Sequence, residues 1–151
     1  MLNPTNPATA LTTMRGILLG SLVLGVPGTA AELLLLGHFD GWKQLIPLVL
    51  LGVGLLVLIW HAASRGPAPI RALRFLMLLF VLSGAFGVLF HYRGNVEFEL
   101  EMYPKTAGFQ LFKKAMTGAT PALAPGAMAM LGLVGLAYTI GHPSVSPRPE
   151  P

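Results

Sequence analysis

The chain contains no cysteine and few charged residues. Only 11% of its 151 residues are Asp, Glu, Lys or Arg, and 54% are hydrophobic. The absence of cysteine excludes disulfides, thiolate metal sites and a cysteine nucleophile. Soluble domains carry about 25% charged residues, so this chain has too little polar surface to cover a globule in water. The composition therefore predicts an integral membrane protein.

Signatures of the common enzyme classes are also missing. The chain has no phosphate-binding loop, no HExxH motif and no GxSxG motif, and its only aspartate is Asp40. We therefore expect a protein without catalytic activity. The net charge of +4 comes from basic residues at the ends of apolar runs, where lipid headgroups lie. This placement predicts contact with the lipid bilayer and no binding of nucleic acid.

Four apolar runs predict an all-α bundle of four transmembrane helices in a single membrane domain, residues 1–143. Each run approaches the roughly 20 residues needed to cross a hydrocarbon layer about 30 Å thick. Trp42 and Trp60 bracket the second run about 27 Å apart along a helix, close to the separation of the two interfacial aromatic belts. Residues 1–13 are expected to form a flexible lead, and the Pro-rich tail 144–151 to be disordered. The predicted spans are residues 14–37, 44–63, 70–91 and 121–141, and the extramembrane segment is 92–120.

Small residues recur along three of the predicted spans at spacings of three or four. Such spacings let helix backbones approach closely in lipid, where there is no hydrophobic force between helices. The residues are Gly16 and Gly20 in the first span, Ser83 and Gly87 in the third, and Ala122, Gly126, Ala129, Gly132 and Gly135 in the fourth.

Four crossings would place both termini on the same side of the membrane. Basic residues are equally numerous on the two sides, but on the side of the termini three arginines lie in or beside one tight loop. By the positive-inside rule this density places the termini in the cytoplasm, and we expect a plasma membrane of bacterial type. The arginines on that side are Arg15, Arg65, Arg71, Arg74 and Arg148.

The stretch from His91 to Pro121 is polar and holds seven of the sixteen charged residues. Within it, residues 96–103 alternate apolar and acidic side chains, which predicts a strand with one face buried and its glutamates about 7 Å apart on the other. No second segment has this pattern, so the strand would pair with an edge strand of another protein or another copy. The alternative is an irregular segment with its glutamates in water. The residues predicted to bind a partner are Glu97, Phe98, Glu99, Leu100, Glu101 and Tyr103.

We therefore predict a small accessory or assembly subunit of a larger membrane complex, which docks through residues 92–120 on another membrane protein or on a second copy. Hard-cation sites wrap oxygens around the ion from a loop, so the glutamates do not predict a metal site. Three apolar residues downstream recur at helical spacing opposite two lysines and predict a short amphipathic helix in the membrane interface. These are Phe109, Phe112 and Met116, with Lys113 and Lys114.

Glu32 is the only ionisable residue well inside a predicted span. A carboxyl group at that depth is costly and marks a functional site by default, which leads to the hypothesis of a proton- or cation-coupled transporter component. The alternative is structural, because Glu32 lies only about four residues, near 6 Å, from the helix end and reaches the headgroups. If it faces inward, its predicted partners are His91, Arg93 or Ser83.

Each apolar run is followed by a histidine. Alternating topology places His38 and His91 on the side of the polar stretch, and His61 and His142 on the side of the termini. Two same-side pairs can hold two b-type haems and pass electrons across the membrane. The alternative is that these amphipathic rings sit where helices meet the headgroups. The sequence favours no cofactor beyond this haem hypothesis.

Overall fold

The computed structural model describes residues 6–64, 66–118 and 120–145, which form five helices and no strand. The all-helical prediction is therefore confirmed. Arg65 and the part of the predicted disordered tail from residue 146 onward lie outside the described residues. The helices are α1 Pro7–Leu35, α2 Trp42–Ser64, α3 Pro67–Met102, α4 Gly108–Met116 and α5 Gly126–Thr139.

Three of these helices, α1, α2 and α3, are long and apolar enough to cross a membrane. They expose large apolar side chains along their length, such as Leu24 and Leu56, which indicates a membrane-embedded protein. The fourth predicted span is only partly helical. Residues 122–125 form turns, and α5 has 14 residues, about 21 Å, which is shorter than a hydrocarbon layer. The structure does not confirm a bundle of four spanning helices.

Helix α1 begins earlier than predicted. Asn6 is its N-cap, with the side-chain oxygen accepting a hydrogen bond of 3.0 Å from the backbone N–H of Ala8, and Pro7 occupies the first helical turn. The prediction of a flexible lead is wrong from Pro7 onward. Asn followed by Pro is itself a helix start signal, because the Asn oxygen satisfies a free N–H and Pro has none to leave unsatisfied.

The long helices and α5 pack around one core. α1 and α3 each contact both α2 and α5, so α2 and α5 occupy diagonal corners of the bundle. Short connections make α1, α2 and α3 successively antiparallel. α3 and α5 are antiparallel as well. Gly87 lies opposite Pro125 at one end of the pair, and Arg74 lies opposite Thr139 at the other. The core side chains that are fully buried include Leu22, Val26, Leu51, Ile70, Leu73, Met77 and Phe80.

Small residues bring α3 and α5 close together, as the sequence predicts. A methyl group on Gly84 would lie 2.5 Å from the backbone nitrogen of Ala129, and one on Gly132 would lie 2.7 Å from the backbone oxygen of Met77. The same prediction is wrong for the amino-terminal half of α1, because Gly16 faces open space, as does Gly20. Close backbone packing is thus concentrated at the α3–α5 interface.

The two ends of the bundle differ in charge. We call the end where α1 and α3 begin the arginine end, since Arg15, Arg71 and Arg74 lie there. The opposite end, where α1 ends and α4 lies, is the glutamate end. Among the described residues, every Asp and Glu belongs to the glutamate end, and these are Glu32, Asp40, Glu97, Glu99 and Glu101.

Candidate functional site

Helix α3 continues well past its apolar section. Residues 91–102, which we call the overhang, add twelve residues, about 18 Å of helix, after the apolar run ends at Phe90. Asn95, only 3% exposed, fixes the overhang against the last turn of α4 and the chain that follows it. Its amide donates hydrogen bonds to the carbonyls of Ala115 (2.8 Å) and Thr120 (2.7 Å), and its oxygen accepts one from the N–H of Thr120 (3.3 Å).

Helix α4 lies across the overhang. The ring of Phe112 contacts Tyr92 at the base of the overhang, with centroids 6.0 Å apart. Lys114 instead reaches the far end of the overhang. Its ammonium is 3.1 Å from a Glu99 oxygen and 3.8 Å from the centre of the Tyr103 ring. α4 therefore places Phe112 on the side of the apolar body of the bundle and Lys114 on the side of the far end of the overhang. The predicted amphipathic helix is confirmed, and Phe109, 79% exposed, stacks on Phe112 with centroids 6.1 Å apart.

The segment predicted to be a strand belongs to the overhang and is helical. Both the strand and its irregular alternative are wrong. On a helix the three glutamates do not share one face, since Glu99 faces α4 while Glu97 and Glu101, one turn apart, are exposed on another side. Phe98 lies beside them and is 50% exposed. We call Glu97, Phe98 and Glu101 the outer face. Of the other residues predicted to bind a partner, Leu100 is half-buried and Tyr103 caps the end of α3.

Glu32 lies in the last turns of α1 and is exposed. Within the described part of the chain its carboxylate makes no hydrogen bond and no ion pair. The predicted inward partners, His91, Arg93 and Ser83, make no hydrogen bond or ion pair with it. The geometry thus gives the transporter hypothesis no support.

At the glutamate end, the structure brings the predicted pair His38 and His91 together. Their ring centroids are 6.1 Å apart with the planes inclined at 53°. His91 is oriented by a hydrogen bond of 3.1 Å between its Nδ1 and the carbonyl of Pro121. Burial, and then the nearby His91, lowers the pKa of His38 below its ordinary value, so the neutral ring is favoured there.

At the arginine end, the second predicted pair also comes together. The centroids of His61 and His142 are 5.6 Å apart in an edge-to-face arrangement. Tyr138 contacts both rings, and its hydroxyl is 2.6 Å from Nε2 of His61. Sequence reasoning missed Tyr138, although its position one helical turn before His142 is a usable signal. Burial, then His61, then Arg15 lowers the pKa of His142.

Two arginines bind the carboxyl end of α5 beside this cluster. Arg15 donates to the carbonyl of Gly141 (2.6 Å), and Arg74 donates to the carbonyl of Thr139 (2.7 Å) and to its hydroxyl (3.2 Å). These carbonyls have no partner within the helix and carry the negative end of its dipole, so a cation there is stabilising. The arrangement joins the starts of α1 and α3 to the end of α5.

A cavity of about 440 Å³ lies next to the histidine cluster. Its lining is mostly apolar and includes the two imidazoles and Ser144. Leu19 and Val23 come from α1, Leu58, His61 and Ala62 from α2, and His142 and Ser144 from the segment after α5. No local sequence pattern indicates this cavity, because three separate segments form it.

Within the described residues, no three His, Asp or Glu side chains lie close enough to hold one metal ion. Two histidines can ligate one haem iron, and here Nε2 of His61, Nδ1 of His91 and Nδ1 of His142 each make a hydrogen bond within the chain. No protein-family model matches the chain, and no curated protein and no solved structure shows significant similarity to it.

Proposed function

We propose that this chain is a four-span, non-catalytic accessory protein of a membrane complex, which docks on a second membrane protein through the outer face of the overhang. The observation that carries the proposal is the exposed pair Glu97 and Glu101 with the half-exposed Phe98 beside them. Like charges one turn apart destabilise a helix when nothing opposes them. A basic surface with an apolar recess for Phe98 would neutralise both carboxylates and cover the ring.

The rigidity of the overhang supports the same proposal. Asn95 ties it to two carbonyls, and Lys114 pairs with Glu99 on the side away from the outer face. Among the described residues, neither Glu97 nor Glu101 has a lysine or arginine partner within the chain. A preordered helix loses little conformational entropy on binding, and paired charges at its surface select the partner.

The depth of residues 121–141 supports the fourth crossing. His91 bonds Pro121, and Arg74 bonds Thr139, so this segment runs alongside the whole apolar section of α3. Although α5 is short, the turn before it reaches the level of His91 and the residues after it reach the level of Arg74. Three arginines at one end, with no carboxylate among the described residues there, support a cytoplasmic arginine end under the positive-inside rule.

Single-cysteine labelling tests this topology, because the natural chain has no cysteine. In whole cells, an impermeant maleimide should label Thr106→Cys at the glutamate end and leave Ala68→Cys and Ser144→Cys unlabelled until the membrane is opened. Labelling of Ala68→Cys and Ser144→Cys from opposite sides would refute the four-span arrangement.

The docking proposal is tested by native mass spectrometry of tagged protein taken from its own membranes in mild detergent. The wild type should carry a second, different chain, and the double variant Glu97→Gln, Glu101→Gln should lose most of it. Phe98→Ala should weaken the complex independently. Glu32→Gln is the matched control, since it removes an exposed carboxylate at the same end but off the overhang. A complex made only of copies of this chain, or one that the double variant retains, would overturn the proposal.

A second candidate function, electron transfer through haem b, is favoured by one observation. Both same-side histidine pairs lie in contact, at 6.1 Å and 5.6 Å between ring centroids. A Soret band in the purified protein that His91→Ala and His61→Ala each reduce would support it. A colourless preparation from haem-sufficient cells would remove this candidate and leave the docking proposal intact.

A further inference from the structure

The cavity at the arginine end has the polarity of an amphiphile site. Leu19, Val23 and Leu58 form its inner part, between α1 and α2. His61, His142 and Ser144 line the part of the cavity that is nearer the helix ends. At about 440 Å³ the cavity falls within the range of small-molecule sites, about 300–1,000 Å³. Since Val23 is half exposed, the apolar part opens sideways toward lipid.

The charge around the outer part is positive. Arg15 lies one helical turn from Leu19, and its guanidinium sits at Gly141, the residue before His142. Only one of its five N–H groups is used in that bond, and the rest are available to an anion. Every described carboxylate lies at the other end of the bundle, so none of them competes for Arg15.

We propose that this cavity binds one anionic phospholipid, with an acyl chain along Leu19, Val23 and Leu58 and the phosphate held by Arg15 beside the cavity. Guanidinium groups form strong, charge-assisted hydrogen bonds with phosphate oxygens. Basic pockets between helices on the cytoplasmic side of a membrane are a recognised setting for acidic headgroups. The site is separate from the overhang and does not depend on the docking proposal.

Native mass spectrometry of delipidated protein tests the proposal, with lipids of identical acyl chains added in turn. Phosphatidylglycerol should bind with one-to-one stoichiometry at least about tenfold more tightly than phosphatidylcholine. Arg15→Gln should remove this preference. Val23→Trp should fill the apolar part and block the lipid without changing any charge. Arg71→Gln is the matched control, because it removes an exposed charge from the same end but outside the cavity.

Any one of four results would overturn the proposal. Equal binding of phosphatidylcholine would leave only an apolar groove, and full competition by inorganic phosphate would make the site one for free anions. If Arg71→Gln loses the preference for phosphatidylglycerol as much as Arg15→Gln does, the preference comes from general surface charge and not from this site. Arg15 also caps α5, so the Arg15→Gln variant can fail to fold. In that case Val23→Trp tests the site, and unchanged lipid binding by Val23→Trp would refute it.

Discussion

Tyr138 on α5 reaches across the diagonal of the bundle to His61 on α2, and the two side chains form a hydrogen bond of 2.6 Å. α2 and α5 are separated by α1 and α3, which contact both. His61 is only 8% exposed, so the bond lies inside the protein, where water does not compete with it. One polar contact thus links two helices that lie at opposite corners of the bundle.

Removing this bond should destabilise the bundle measurably. Tyr138→Phe keeps the ring and deletes the hydroxyl, so we expect the free energy of unfolding to fall by about 0.5–1.5 kcal/mol. The measurement is unfolding in mixed micelles with increasing sodium dodecyl sulfate, followed by circular dichroism. Tyr103→Phe, at an exposed tyrosine of the other end, is the control and should unfold like the wild type. Equal stability of Tyr138→Phe and the wild type would show that the bond contributes nothing.

The close contact of α3 and α5 should tolerate no added methyl group at Gly84. Its Cβ would meet backbone atoms of Ala129 and Pro125, which cannot move aside as a flexible side chain can. Gly84→Ala should therefore cost about 1–3 kcal/mol, the usual penalty for overpacking. Gly52→Ala, in open space on α2, should be neutral or stabilising by up to about 1 kcal/mol, since Ala favours helix over Gly. The same denaturation assay compares the two, and similar losses in both variants would contradict the packing argument.

The features that sequence predicted well rest on local pattern. Uninterrupted apolar runs predict α1, α2 and α3, because backbone groups in lipid are satisfied only within regular structure. Alternating topology was enough to put His38 and His91 at one end and His61 and His142 at the other, since a helix end fixes the level of its histidine, but not to bring the rings of each pair into contact. The small residues facing each other across α3 and α5 follow from the same reasoning.

The features that sequence missed depend on contacts between distant segments. The alternation at residues 96–103 has the period of a strand, but α3 carries its helix straight through it. Asn95 meets carbonyls twenty and twenty-five residues away, a pairing that no local pattern contains. The cavity needs three segments, and Tyr138 becomes significant only once α5 faces His61 across the bundle.

Asn95 should control how firmly α4 is held. Asn95→Ala removes all three of its hydrogen bonds, leaving two carbonyls without that donor at a cost of about 1–3 kcal/mol. Amide hydrogen exchange in residues 108–118 should then speed up by about tenfold or more, while α2 exchanges as before. Gln110→Ala, on the exposed side of α4, serves as the control. Protection of α4 at the wild-type level in Asn95→Ala would show that apolar contacts alone hold it.

Acidification should destabilise the fold through His38 and His142. Burial is the main cause that lowers the pKa of each below the ordinary value of 6.5. Just below pH 6.5 the folded state therefore binds fewer protons than the unfolded state. The free energy of unfolding that these neutral histidines provide above pH 6.5 is lost as the pH falls below that value. Thermal unfolding should show a lower midpoint at about pH 5.5 than at about pH 7.5. The double variant His38→Gln, His142→Gln should flatten this difference, and a midpoint that rises on acidification would contradict the sign of both shifts.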